Sequence, residues 1–187
     1  MLSQLFPWGC GSCARKLRRT PGALVLLLAL GLYGPPAVAE DARLVAPEGE
    51  VLLTITGNIE ATNDGDTALF DRAMLRALPE RTLETGTVVT DGVNRFEGVL
   101  MRDLLERVGA EGEVVTARAL NDYVIDIPMA DFQNFDVLVA TRMDGERLSP
   151  RDKGPLWIVY PRDDHGELQD IRYDYRWVWQ LLQLDVK

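Results

Sequence analysis

Cysteine is nearly absent from the sequence, and its two copies, Cys10 and Cys13, both stand close to the N-terminus. Their C-x-x-C spacing is that of redox motifs, but such motifs lie between a strand and a helix of a folded domain. This pair instead precedes an apolar run. The chain beyond residue 13 therefore offers neither a disulfide nor a thiolate ligand for a metal.

The sequence after residue 39 also lacks the compact motifs of common catalytic and metal sites. No G-x-S-x-G, P-loop, paired C-x-x-C or H-E-x-x-H pattern occurs in it. His165 is the only histidine and lies among Asp163, Asp164 and Glu167. This group is either a weak cation site or an exposed loop, and its spacing matches no metal motif. We therefore predict no catalytic residue and no metal ligand.

The first 39 residues have the organisation of a secretory signal peptide. A basic cluster at residues 15–19 precedes an apolar run at residues 23–33, and Ala37-Val38-Ala39 provides a signal peptidase site. The alternative is a membrane anchor, but eleven apolar residues are too few, because a spanning helix needs about 20. We predict cleavage after Ala39 and a periplasmic or secreted protein.

The remaining chain, residues 40–187, has the length of one domain. The formal net charge is −9 for the whole sequence and becomes −13 once the four basic leader residues are removed. Such an acidic surface disfavours nucleic acid and anionic membranes as partners. We predict a single domain without a membrane span, which binds a small-molecule ligand or a periplasmic partner protein.

Hydrophobic patterning predicts a strand-rich mixed α+β domain with two or three short helices. A helix follows the N-cap Asp71, and another over residues 100–108 places Leu100, Leu104, Leu105 and Val108 on one face. A one-turn helix is expected at residues 128–132, a hairpin turn at Asp144-Gly145 and a charged loop at residues 162–172. The predicted strands are residues 51–59, 82–90, 113–120, 123–127, 137–142, 155–161 and 181–186.

Four segments, in order, resemble the sulfite-oxidase-type oxidoreductase molybdopterin-binding domain family. They read GVNRFEGVLMRDLL, LNDYVIDIPM, DVLVATRMDGERLSPRDKGPLWIVYP and WQLLQLDV. The resemblance extends from about Val51 to Val186. It implies the sulfite-oxidase-type fold, molybdopterin as a cofactor, and oxygen-atom transfer or reduction at molybdenum.

The sequence departs from the family pattern where the cofactor would be held. The family's molybdenum-binding cysteine precedes the first of these segments, whereas this chain has Thr85 and Thr87 in a shortened LETGTVV stretch. A neutral hydroxyl is a poor substitute for a thiolate. Trp157 stands where the family usually has an arginine, and RWVWQLL replaces a basic residue. We therefore expect no bound cofactor and a less cationic pocket.

The candidate ligand-binding residues are Arg95, Asn121, Asp122, Tyr123, Arg162 and Arg176. The three arginines are candidate anion donors, since a pterin phosphate needs such groups. Arg95 is alternatively a surface residue stacked on Phe96 or paired with Glu97. The Asn-Asp-Tyr segment is alternatively a turn, which Asn and Asp favour.

Residues 173–179, YDYRWVW, are the densest aromatic cluster of the chain. Three interpretations compete: core packing, the wall of a ligand pocket, or a protein-binding patch. The preferred hypothesis for the whole chain is an exported, non-catalytic domain that binds a small ligand or a partner protein. The alternatives are a molybdopterin-dependent oxidoreductase without a cysteine ligand and a structural subunit of a redox complex.

Overall fold

The structure is a computed structural model that describes residues 44–187, so the predicted leader lies outside the described residues. These residues form ten strands and four short α-helices. The strands are β1 Val51–Gly57, β2 Ala68–Asp71, β3 Glu80–Gly86, β4 Val93–Leu100, β5 Val114–Ala119, β6 Val124–Pro128, β7 Leu138–Met143, β8 Glu146–Arg147, β9 Trp157–Val159 and β10 Leu181–Val186. The helices are α1 Arg72–Ala77, α2 Met101–Arg107, α3 Met129–Asn134 and α4 Ile171–Asp174, and Gly166–Gln169 form a 3-10 helix.

The strands form two sheets, the first mixed and the second antiparallel. The first has the order β2-β1-β10-β5-β6, in which β1 and β10 are parallel and the other pairs are antiparallel. The second has the order β3-β4-β7-β8, and β9 pairs with β7. Because the last strand inserts between β1 and β5, the residues just before it are held against the β5–β6 turn. The predicted α+β class and its richness in strands are confirmed, but the structure has four α-helices where two or three were predicted.

Helix α2 shows how an apolar face fixes an element in this fold. Leu104 is fully buried, and Leu105 and Val108 are also buried. Full burial of a leucine side chain contributes about 1.5–3 kcal/mol. The helix ends before Gly109, whose φ of +59° is the left-handed conformation that glycine adopts readily. The predicted buried face is confirmed, although Leu100 belongs to β4 and precedes the helix.

Asp71 is the N-cap of α1, as the sequence predicts. Its Oδ1 accepts a hydrogen bond from the Met74 N–H at 2.9 Å. Its Oδ2 accepts bonds from the N–H groups of Glu48 and Gly49, so one carboxylate joins the helix to the preceding loop. These hydrogen bonds, that of Met74 first, lower the pKa of Asp71 below its ordinary value of 3.8.

Several predicted boundaries differ from the structure, and three of the differences are instructive. The strand predicted to reach residue 90 ends at Gly86, because the β3–β4 pairing begins at Gly86 and Val93. Val88 and Val89 are exposed in the connecting loop, so their β-branched side chains misled the prediction. The predicted one-turn helix extends to Asn134 as α3. The predicted loop at residues 162–172 contains the 3-10 helix and the start of α4.

Candidate ligand-binding site

A cavity of about 170 Å³ lies between the β5–β6 turn and the segment that joins α4 to β10. Both walls come from segments that the sequence identified, one from the Asn-Asp-Tyr turn and the other from the aromatic cluster. The lining residues are Asn121, Tyr123, Asp174, Tyr175, Trp177 and Trp179.

Hydrogen bonds fix the β5–β6 turn against the opposite wall. The Tyr123 hydroxyl donates to the Tyr175 carbonyl oxygen at 2.8 Å, and the Leu120 N–H donates to the Gln180 carbonyl at 2.9 Å. Asn121 Oδ1 accepts from the Tyr123 N–H. Asp122 adopts a φ of +64°, a conformation that aspartate tolerates in turns. Asn121 and Tyr123 thus line the cavity, and Asp122 shapes the turn between them.

Asp174 is the only acidic residue among those that line the cavity. Its Oδ1 is buried without a hydrogen-bond partner among residues 44–187. The nearest cationic atom in its ion pair is Arg162 Nε at 3.8 Å, which is too far for a hydrogen bond. Arg162 therefore lies near the lining residue Asp174 but does not itself line the cavity.

Arg176 points to a buried polar network. Its Nη1 donates to Asp131 Oδ2 at 2.5 Å, and the Tyr160 hydroxyl donates to the same oxygen at 2.8 Å. The guanidinium also lies over the Tyr173 ring, 4.6 Å from its centroid. Burial first, and then the Asp131 charge, raises the pKa of Tyr160 well above its ordinary value. The Asp131 carboxylate therefore neutralises the Arg176 charge within the protein.

Thr85 and Gly86 end β3 beside Asp163. The Thr85 side chain is fully buried, and its hydroxyl accepts from the Asp163 N–H at 3.2 Å and donates to the Gly86 carbonyl. The Gly86 N–H donates to Asp163 Oδ2 at 2.6 Å. The loop that carries Arg162 is therefore attached to the end of β3.

The tryptophan at position 157 belongs to the core and not to a pocket wall. Trp157 is fully buried and makes an edge-to-face contact with Phe96 at 5.3 Å between ring centroids. A similar contact joins it to Trp177 at 6.2 Å. Trp157 therefore fills the core, and the expectation of a less cationic pocket stays a prediction.

Arg95 lies apart from the cavity. It is on β4, and its Nη1 pairs with Glu97 Oε1 at 2.8 Å. Half of its side chain is exposed, and its Nη2 lies 3.4 Å from the Thr82 hydroxyl. The Glu97 pairing that the sequence offered as an alternative is the arrangement present. Its role as an anion donor stays a prediction.

The structure places two of the six predicted site residues in the cavity lining, and it adds Asp174, which the sequence did not single out. Asn121 and Tyr123 line the cavity, and Arg162 lies 3.8 Å from the lining residue Asp174. Asp174 was missed because nothing in its local sequence distinguishes it from other surface carboxylates. The aromatic density of residues 173–179 was the signal for that wall, and both the core and the pocket interpretations apply to it.

The described part of the chain contains no candidate metal site and no membrane-spanning helix. Among residues 44–187, no group of three or more His, Cys, Asp or Glu side chains could hold a metal ion. His165 makes an edge-to-face contact with Phe135 at 5.1 Å. In the same residues, no helix combines the length and apolarity needed to cross a bilayer.

Comparisons with known proteins agree with this fold. The sulfane dehydrogenase SoxCD from Paracoccus pantotrophus matches with a TM-score of 0.57 and 19% identity, over 76% of this chain and 39% of that chain. At this identity the likeness concerns the fold alone, and this chain spans well under half of that chain's length. Among curated proteins, no relative matches the sequence.

The fold is that of molybdopterin-binding oxidoreductase domains. The family model described as the oxidoreductase molybdopterin binding domain matches residues 72–163, from α1 to the loop after β9. Residues 72–163 therefore match this family, and the resemblance of the sequence motifs is confirmed over that segment.

Proposed function

We propose that the protein is an exported, non-catalytic member of this family that binds a small molecule in the cavity next to Tyr123 and Asp174. The observation that carries the proposal is the pairing of the candidate anion donors. Each of the three arginines that the resemblance offered for a pterin phosphate lies against a carboxylate of the protein itself.

The pairing of these arginines does not suit an anionic cofactor. Arg95 pairs with Glu97 and Arg176 with Asp131, while Arg162 lies 3.8 Å from Asp174. A phosphate is bound well where cationic or N–H donors converge on it with free valences. Arg162 Nε has no hydrogen-bond partner within residues 44–187. Binding a phosphate at Arg95 or Arg176 would require breaking a short ion pair, and the pair of Arg176 with Asp131 is largely buried and costly to break.

The end of β3 also lacks the donor that molybdenum uses in the family. No cysteine stands between residues 44 and 187. Thr85 is buried with its hydroxyl already bonded, and the Asp163 carboxylate accepts from the next N–H group. A carboxylate at this place repels an anionic dithiolene centre. The residues present therefore do not fit molybdopterin, and we derive no chemistry through it.

The cavity at Tyr123 and Asp174 is the alternative binding site. It is formed mainly by aromatic rings, and a hydrogen bond fixes its two walls to each other. Concave sites with a few polar groups among aromatic side chains are typical of small-molecule binding. Its volume is below the roughly 300–1,000 Å³ of drug-sized sites, which indicates a small ligand or a head group.

The proposal is tested by the cofactor content of protein exported from a host that makes molybdopterin. We expect an absorption spectrum of tryptophan and tyrosine alone, and no fluorescent pterin after acid denaturation and oxidation. A cysteine-containing family member from the same host is the positive control. Release of pterin together with turnover of a sulfoxide or sulfite would refute the proposal and establish the oxidoreductase alternative.

A further inference from the structure

We infer that the cavity binds a small organic cation of the quaternary ammonium class. The inference rests on the proposed function, since it identifies the ligand of the same cavity. It depends on three features: the aromatic walls, the single carboxylate, and the absence of a basic side chain from the lining.

The aromatic walls provide the main attraction for a cation. Tyr123, Tyr175, Trp177 and Trp179 supply four of the six lining residues. The faces of tryptophan and tyrosine carry partial negative charge and attract cations within about 6 Å, and cages of such rings recognise quaternary ammonium groups. Trp177 is only 3% exposed and anchors the wall in the core, whereas Tyr175 is 58% exposed at the rim. The site is therefore anchored at one side and open at the other.

Asp174 supplies the counter-charge. Its side chain is 21% exposed, and its buried Oδ1 has no hydrogen-bond partner within the described chain. Arg162 Nε lies 3.8 Å from this oxygen without a hydrogen bond, so Arg162 only partly neutralises the carboxylate. A cation in the cavity would complete the charge balance that Arg162 leaves incomplete.

Other ligand classes fit the cavity less well. An anion would meet Asp174 and no lining Lys or Arg. A sugar would need several accessible hydrogen-bonding groups, yet the Tyr123 hydroxyl and Asn121 Oδ1 are already engaged, and the unpaired Asp174 Oδ1 and Trp177 Nε1 are buried. A metal ion would need more than one carboxylate. A quaternary ammonium group makes no strong hydrogen bonds, so these engaged groups do not weaken its binding.

The overall charge favours the same class. The chain without its predicted leader has a formal net charge of −13. A negative field raises the local concentration of cations and accelerates their association, and added salt weakens this effect.

The test compares choline with 3,3-dimethylbutan-1-ol, its uncharged isostere, by calorimetry and tryptophan fluorescence on the full exported chain. We expect choline and tetramethylammonium to bind with micromolar to millimolar dissociation constants and the isostere to bind at least about tenfold more weakly. Equal binding of choline and its isostere would overturn the inference, because the cavity would then select by shape alone. No saturable binding of either cation would also overturn it.

Two disruptive cavity variants, one conservative cavity variant and one control outside the cavity locate the site. Trp179→Leu and Asp174→Asn should each weaken choline binding by about threefold to thirtyfold, while Trp179→Phe should retain part of the affinity. Asp152→Asn removes one exposed carboxylate elsewhere, next to Lys153, and should leave the affinity unchanged. Thermal unfolding checks that each variant is folded. Full affinity in both cavity variants, or equal losses in the control, would overturn the inference.

Failure of this inference and failure of the proposed function have different signatures. If the protein contains no pterin and does not bind choline, the cation inference is refuted and the non-catalytic function stands. A protein with stoichiometric pterin refutes the function, whatever choline does.

Discussion

Replacement of Tyr160 by phenylalanine tests whether Arg176 belongs to a structural network. The Tyr160 side chain is fully buried, and its hydroxyl donates to Asp131 Oδ2, which also accepts from Arg176. Phenylalanine keeps the ring and its contact with Trp177, so the change removes one hydrogen bond and leaves no large cavity. The effect on stability should therefore report the hydrogen bond itself.

The magnitude follows from the charge and burial of the acceptor. A hydrogen bond to a charged partner contributes roughly 1.5–3 kcal/mol. Asp131 keeps its bond to Arg176 in the variant, and the Arg176 side chain is partly exposed, so the carboxylate is not left unpaired. We therefore expect Tyr160→Phe to lower the free energy of unfolding by about 1.5 kcal/mol, the lower end of that range.

The pH dependence gives the prediction a second readout. Burial raises the pKa of Tyr160 in the folded state above 10.0, so the folded protein resists ionisation there and the unfolded chain does not. The stabilisation is thus present below pH 10 and is lost as the pH rises above it. The difference between wild type and Tyr160→Phe should shrink over the same range.

Urea unfolding followed by circular dichroism measures both effects. Tyr175→Phe is the matched control, because that ring is exposed and its backbone carbonyl, which accepts from Tyr123, is unchanged. A loss under about 0.5 kcal/mol at neutral pH would place the change within the ordinary range of surface substitutions and refute the network. A difference that persists unchanged well above pH 10 would refute the pKa argument.

Three further predictions concern the core, the first helix and the leader. Leu104→Ala should cost about 2–5 kcal/mol in urea unfolding, whereas Leu182→Ala, at a half-exposed position, should cost far less; similar losses would show that the α2 face is misassigned. Asp71→Asn should reduce the loss of unfolding free energy on acidification, because a carboxylate with a lowered pKa stabilises the fold above pH 3.8 and loses this effect as the pH falls. An acid dependence identical to that of wild type would contradict this. Intact-mass measurement of the exported protein should place its N-terminus at Glu40, and a chain that retains Cys10 would contradict export with cleavage.

Local features of the fold were predictable because short segments determine them. The Asp71 cap depends on a side chain three residues from its N–H donor. The buried face of α2 follows from helical spacing, and the Asp144-Gly145 turn follows from the positive φ angles that hairpin turns require. The end of β3 at Gly86 was harder to predict from the sequence, because the exposed Val88 and Val89 have β propensity but no pairing partner.

The site depended on contacts that the sequence does not encode locally. Asp163 meets Gly86 across 77 positions of the chain, and Arg176 meets Asp131 across 45. The cavity exists because β10 inserts between β1 and β5, which brings the aromatic segment to the β5–β6 turn. Sequence patterns identified both walls, but only the strand order shows that they face each other and that Asp174 lies between them.

The most direct test of the central claim is the molybdenum content of the unmodified protein. It would be expressed with molybdate and the full cofactor pathway, exported, purified without denaturation, and measured by elemental mass spectrometry per chain. The absence of a cysteine in residues 44–187 and the pairing of Arg95, Arg162 and Arg176 with carboxylates lead us to expect well under one molybdenum per chain. Near-stoichiometric molybdenum, with turnover of a sulfoxide or sulfite, would contradict the account.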